Sequence, residues 1–318
     1  MPSHPDPRSP ALHGNEIVIG VDDSRTSEST VRCAARTASK RGRTLRIAHG
    51  LDLAALGAAV DYPDLAVHDL VARLRRRAED AVERARRTAH AVDPNLTVVT
   101  EISPESAARV LTRRSESAYE VVVGAGSGAD SIVGRIGSTI TAVASHAHAP
   151  VVVVRGDLDR SPRPADAPVV LGLDGHPAGD AAIGLAFDEA SWRGTGLVVV
   201  HAWSDLSLGV FAQRHQLLTP PQAFEEAESV VVAERLAGWQ EKYPDVTVSR
   251  RVYLDGPRQH LLRWSQRAQL VVVGSRGRGG LAGMLLGSTS AALIAQSRCP
   301  VMVVRPDSVS NPYAGEQK

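Results

Sequence analysis

The sequence predicts an α/β protein built from two tandem domains, each a five-stranded parallel sheet flanked by helices. Three observations carry that prediction. Landmarks of the first half return in order in the second half, 150 to 152 residues later. Short valine-rich runs alternate with longer stretches rich in alanine and polar residues, the sequence form of βαβ units. The last two apolar runs of each half are almost uninterrupted valine, which suits strands covered on both faces by helices.

The elements follow in order. Val18-Ile19-Gly20-Val21-Asp22 returns as Val170-Leu171-Gly172-Leu173-Asp174, and first strands are expected to begin at Ile17 and Val169. Val31, Ala35 and Ala38 then recur at helical spacing. Second strands are Leu45 to Ala48 and Leu197 to Val200, each followed closely by a histidine, His49 and His201. Long helices from about Ala66 to Ala91 and Phe224 to Trp239 lead to third strands at Leu96 to Thr100 and Val246 to Val252. Fourth strands are Val121 to Val123 and Val271 to Val273, and fifth strands Val151 to Val154 and Val301 to Val304. Ile140, Val143, Ala144 and Ala147 give the helix between the last two strands of the first half. The order suits Rossmann-like domains over residues 16–155 and 168–306. Residues 1–15 and 307–318 read as tails, and 156–167, with Pro162 and Pro164 among polar residues, as the linker.

Composition excludes several classes. Over 318 residues the formal charge is only +1, so no excess suited to nucleic acid is present. Lysine occurs only at 40, 242 and 318, and no Gly-Lys-Ser/Thr step exists, so a P-loop is absent. The two cysteines, Cys33 and Cys299, show neither metal-ligand spacing nor a disulfide framework, which fits a reducing cytoplasm. No apolar run approaches the roughly 18 residues of a membrane span, so neither export nor membrane insertion is expected.

Two features carry chemistry. The fourth strand of the second half runs into Gly274-Ser275-Arg276-Gly277, and nine residues later Gly287-Ser288-Thr289 opens a helix. Glycines let backbone N–H groups approach an anion, and a helix start adds hydroxyls, unpaired amides and the positive end of the dipole. The arrangement suits a phosphate, and equally a tight turn before a capped helix. Arg276 and Arg278 either add charge there or are solvated surface groups. Asp174 and Asp22 end their first strands, where a carboxylate can face the crevice beyond the strand ends or close an Asx turn for the next helix.

The strand-Asp opening, the second-strand histidine and the Gly274-x2-Gly277-x9-Gly287-Ser288 loop together resemble the universal stress protein family, in its tandem two-domain form and ATP-binding branch. The resemblance implies ATP, or AMP or ADP, in each competent copy, with Mg²⁺ accompanying the nucleotide. It also implies pairing of the copies through their last strands, with higher homo-oligomers open, and no dedicated reaction. Carried onto this sequence, the base and ribose side falls on Asp174 and Ala202 and on Asp22 and Gly50. The phosphate loop falls on Gly274, Gly277, Gly287, Ser288 and Thr289. In the first copy the aligned positions are Gly124, Ser127, Gly137, Ser138 and Thr139. Ser127 thus replaces the second glycine of the motif, and Asp130, aligned with Gly280, adds negative charge, so weaker binding is expected there.

Other residues read as structural. His146 and His148 flank a helix-to-strand turn without further ligands at matching spacing. His49 and His201 read as strand-end histidines bonded to backbone rather than as catalytic groups. The arginines from Arg73 to Arg87 interleave with Glu79, Asp80 and Glu83 as a salt-bridged helix face. All four tryptophans, at 192, 203, 239 and 264, lie in the second half. The expected function is a nucleotide-binding stress or regulatory protein acting through conformation or a protein partner. The alternatives are a slow ATPase or adenylyl-transfer enzyme using the same crevice, and a dimerisation scaffold without ligand.

Overall fold

The computed structural model describes residues 14–24, 26–59, 64–126, 136–156, 163–174, 179–204, 221–277 and 286–308. The chain divides into two compact units, one within Leu12–Arg160 and one within Ser161–Lys318.

In the first unit the order is β1 (Glu16–Gly20), α1 (Thr26–Lys40), β2 (Thr44–Gly50), α2 (Leu53–Ala59) and α3 (Asp64–Val92). It continues with β3 (Val98–Ser103), α4 (Ala107–Arg114), β4 (Ala118–Ala125), α5 (Ser138–His146) and β5 (Val151–Arg155). The strands lie in the order β3-β2-β1-β4-β5, all parallel, with Val18 opposite Arg46 and Val121. The chain thus winds outward from β1 in one direction, returns to β4 and winds outward in the other. In this topology a ligand usually sits beyond the carboxyl ends of strands such as β1 and β4, where the winding reverses.

The second unit repeats the pattern with β6 (Val169–Leu173), α6 (Asp180–Arg193), β7 (Leu197–Ser204), α7 (Pro221–Lys242) and β8 (Val248–Asp255). After these come α8 (Pro257–Trp264), β9 (Leu270–Gly274), α9 (Ser288–Gln296) and β10 (Val301–Val304). Its order is β8-β7-β6-β9-β10, again parallel. Family resemblance and structure therefore agree on an α/β fold with five parallel strands in each unit.

The cores are aliphatic. Ile17, Ile19, Leu45 and Ile47 fill the first, and Leu171, Leu197, Leu270 and Phe187 the second, all fully buried. Several polar ties repeat with the core. Ser39 donates to Asp93 at 2.6 Å and Ser191 to Asp245 at 2.5 Å, each fastening the first helix of its unit to the turn before the third strand. Ser115 Oγ accepts the His148 amide at 2.8 Å, and Ser265 Oγ accepts that of Arg298 at 3.1 Å. Duplication thus extends to side-chain ties that pattern reading does not reveal.

The third strands begin two residues later than expected and run further. Leu96 and Val246 are buried, but their amides close turns onto Asp93 O and Tyr243 O at 3.1 Å, so they precede the ladder. The short helices α4 and α8 were not foreseen: they bury only Val110 and Leu111, and Leu261, too few positions to show a period. The described end of the expected linker is tied to the second unit. Arg163 donates to Arg298 O, Gln269 Nε2 to Ala165 O at 2.8 Å, and Thr195 Oγ1 to Asp166 O at 3.0 Å. Among the described residues no helix is long and apolar enough to cross a membrane.

Candidate functional site

In the second unit the crevice between β6 and β9 is a cavity of about 140 Å³. Asp174, Ala202, Gly274, Gly277, Gly287, Ser288 and Thr289 all line it, so one place gathers these seven second-copy residues. Each arrives for a local reason. Asp174 follows directly on β6, and Ala202 lies near the end of β7. Gly274 ends β9, and the loop returns to it: the Gly287 amide donates to Ser275 O at 2.8 Å. Ser290 Oγ also donates to Ser275 O, at 3.2 Å, and to Gly287 O at 3.0 Å. These bonds fix the start of α9 against the end of β9.

Gly287 is the N-cap of α9, in extended backbone (φ −68°, ψ 152°), and it makes no side-chain cap. The first-turn amides therefore keep no side-chain acceptor from the cap, and the hydroxyls of Ser288, Thr289 and Ser290 stand beside them in the cavity wall. Positive dipole, N–H groups and hydroxyls converge there, which is what an anion needs. Arg276, exposed, lines the same wall.

Gly277 marks a close approach to a side chain rather than a left-handed backbone. Its φ is not positive, but a Cβ there would stand 2.9 Å from Asp174 Oδ2. The Asp174 carboxylate thus lies directly against the phosphate-type loop. The opposite wall is apolar: Gly172, Val200, Pro257 and Leu261 form a slot with Ala202. Sequence reading missed Pro257 and Leu261 because α8 itself was missed; the repetition of Leu111 as Leu261 at the 150-residue offset was the available signal.

His201 is 1% exposed and sits outside the lining, behind it. Its Nδ1 lies 2.8 Å from Leu173 O and its Nε2 2.9 Å from Glu228 Oε2 on α7. It is bonded to backbone, as expected, but lies within β7, which runs on to Ser204, rather than at its end, and its carboxylate partner was not expected.

The first unit differs. Asp22 is exposed and closes an Asx turn: its Oδ1 accepts the Ser24 amide at 3.0 Å and Ser27 Oγ at 3.2 Å. It lines a separate depression between α1 and α3 with Asp23, Ser27, Arg84 and Thr88, where Arg84 pairs with Asp23 at 2.7 Å. Gly50 is pressed against α4, since a Cβ there would stand 2.3 Å from the Ala107 amide. Gly124 ends the core of β4 against Thr30, whose Oγ1 a Cβ would meet at 2.7 Å. Gly137 is an uncapped N-cap (φ −61°, ψ 149°) leading into Ser138 and Thr139, so the helix start matches that of α9. Ser127 and Asp130 lie outside the described residues, as does Arg278.

Among the described residues no group of three or more His, Cys, Asp or Glu is placed to hold an ion. His146 Nδ1 lies 2.9 Å from Ala142 O, an in-helix bond. Cys299 is buried, and burial pushes its thiol up to about 11, so it is inert as a nucleophile.

Comparison with known proteins bears on the family and the fold. A model of the universal stress protein family matches the chain twice, over residues 15–155 and 167–305. A universal stress protein of Mycolicibacterium smegmatis is 43% identical over 302 residues, covering 91% of this chain and 97% of the relative. One from Mycobacterium tuberculosis is 39% identical over 291 residues, covering 91% and 96%. Among solved structures, a universal stress protein from Archaeoglobus fulgidus superposes with a TM-score of 0.64 at 18% identity, covering 92% of this chain and 99% of that one.

Proposed function

The chain belongs to the universal stress protein family, and we propose that it is an adenine-nucleotide-binding regulatory protein whose principal site is the second domain. The observation that carries this reading is the cavity wall at β9 and α9: glycine backbone, an uncapped helix start and the hydroxyl residues Ser288 and Thr289, beside one apolar slot. The slot of Val200, Ala202, Pro257 and Leu261 offers a planar base an apolar bed, with selectivity left to backbone groups. Asp174, between slot and loop, is placed to accept from ribose hydroxyls. The helix start then takes phosphate, with Arg276 adding charge.

ATP is the ligand we favour over AMP and ADP, because loop and helix start together offer donors along an extended anion. Asp174 and the Ser288 and Thr289 hydroxyls are the groups beside which Mg²⁺ would sit when it arrives with the nucleotide. It would neutralise phosphate charge there, held mainly by the phosphates and water. Slow hydrolysis is the second reading, favoured by the carboxylate against the loop: Asp174 could orient a water toward the terminal phosphate. Occupancy by itself stabilises the state that binds, which is how such a domain presents a different surface to a partner protein.

The test is the nucleotide content of the purified protein, released by denaturation and identified by chromatography. Adenine nucleotide in the wild type and none in Gly277→Val supports the reading. A wild type that carries none, and takes up none from ATP with Mg²⁺, leaves a family scaffold with another role.

A further inference from the structure

His201 joins three parts of the second domain, two of which, the ends of β6 and β7, line the cavity. Its Nδ1 reaches the carbonyl of Leu173, the residue before Asp174; its own chain neighbour, Ala202, lines the slot; and its Nε2 reaches Glu228 on α7. Both partners are acceptors. A carbonyl oxygen only accepts, so Nδ1 carries a proton. A carboxylate also only accepts, so the 2.9 Å contact at Nε2 requires one more proton, on the ring or on Glu228.

The first domain lacks this arrangement. The α3 and α7 helices end at Val92 and Lys242, and the following strands begin at Val98 and Val248, both 150 residues apart, which aligns Glu228 with Ala78. Ala78 is fully buried and offers no acceptor. His49, the counterpart of His201, leaves its buried Nδ1 without a hydrogen-bond partner among the described residues. The histidine is repeated, but its two bonds occur only in the domain with the complete loop.

We propose that His201 and Glu228 form a one-proton clasp that holds the end of β6, and with it Asp174, in the position that binds nucleotide; His201 is a positioning residue. This rests on the nucleotide reading of the crevice. The proton-bound clasp is the competent form. Without the shared proton the Nε2 lone pair would face the Glu228 carboxylate, and α7 would lose its tie to the strand end.

The experiment combines ATP titration at one pH with NMR of the histidine ring nitrogens and the glutamate carboxyl carbons, for wild type, Glu228→Gln and Glu228→Ala. Glutamine supplies its own donor to Nε2, so a neutral ring satisfies both contacts. Glu228→Gln is therefore expected to bind like the wild type, its His201 ring singly protonated. Glu228→Ala leaves Nε2 unpaired and is expected to bind about tenfold more weakly. Wild-type affinity in Glu228→Ala, or binding by Glu228→Gln as weak as that of Glu228→Ala, would overturn the proposal. Should the wild type not bind ATP, the nucleotide reading falls on its own. The NMR spectra then decide the clasp, which fails if the wild type shows a singly protonated His201 ring beside an ionised Glu228.

Discussion

Each domain ends its first strand with an aspartate, and the two aspartates do different work. Asp22 spends its carboxylate on the Ser24 amide and the Ser27 hydroxyl of its own turn. Asp174 lies against Gly277 in the wall of the crevice. The surroundings diverge in the same direction. Gly50 is pressed onto α4, whereas its counterpart Ala202 stands in an open slot with Pro257 and Leu261. Duplication has preserved strand order, core and turn ties, and varied what faces the crevice. On the proposed reading, the second domain is therefore the principal site.

The edge of each sheet tells the same story. At β3 the first domain builds an ion-pair network: Arg46 pairs with Glu16 at 2.7 Å, and Arg114 and Arg113 pair with Glu101 at 2.7 and 3.3 Å. The Arg46 hydrogen bond holds the Glu16 carboxyl below its ordinary range. Burial pushes Glu101 up, but the bonds from Arg114 and Arg113 outweigh it and leave its carboxyl lowered. At β8 the second domain instead stacks Tyr253 on His260, ring centroids 3.6 Å apart, with Trp264 Nε1 3.3 Å from the Tyr253 hydroxyl. Burial, then the nearby Arg263 charge, lowers the His260 titration.

The sharpest way to break the comparison is Gly277→Val. Its side chain would meet Asp174 and cover the loop amides, and we expect second-domain ATP affinity to fall about a hundredfold with folding retained. Affinity and melting temperature measured together check this. Next comes Gly184 on α6, where a Cβ would stand 2.5 Å from Trp239. Gly184→Ala should cost the second domain roughly 1–3 kcal/mol by overpacking. Tryptophan fluorescence during denaturation reports it directly, because all four tryptophans lie in that half.

Acid should separate the domains by order. His260 has a lowered folded titration, so its contribution is present above the ordinary histidine range and is lost as pH falls through that lowered value. Glu16 and Glu101 are lowered carboxylates, so theirs holds above the ordinary carboxylate range and is lost only as pH falls further. Hydrogen exchange on descending pH should therefore loosen β8 before β3; the reverse order would contradict the assignment. The smallest effect is expected for Ser127→Gly, which completes the loop motif in the first copy and should raise ATP affinity there by about threefold to tenfold, read in a Gly277→Val background.

Much of this was legible in the sequence because the signals are local. Valine runs mark buried parallel strands, and the loop residues from Gly274 to Thr289 are near one another in the chain, so their spacing alone brought them together. The apolar wall was not legible, since Pro257 and Leu261 come from a helix with one buried residue and no period to see. Asp22 and Asp174 end strands of closely similar sequence, and the neighbouring serines, which offer Asp22 an amide and a hydroxyl, set its role apart. Likewise the histidines repeat, while Glu228 and Ala78, which decide what they do, lie on helices whose polar pattern shows no sign of it.

The most direct test of the account is the binding stoichiometry of ATP, with Mg²⁺ present, for wild type and Gly277→Val by equilibrium titration. The account predicts one tight equivalent per wild-type chain, lost in the variant, with any residual binding weak and assignable to the first domain. Two equal sites in the wild type, or a Gly277→Val protein that retains the tight equivalent, would contradict it.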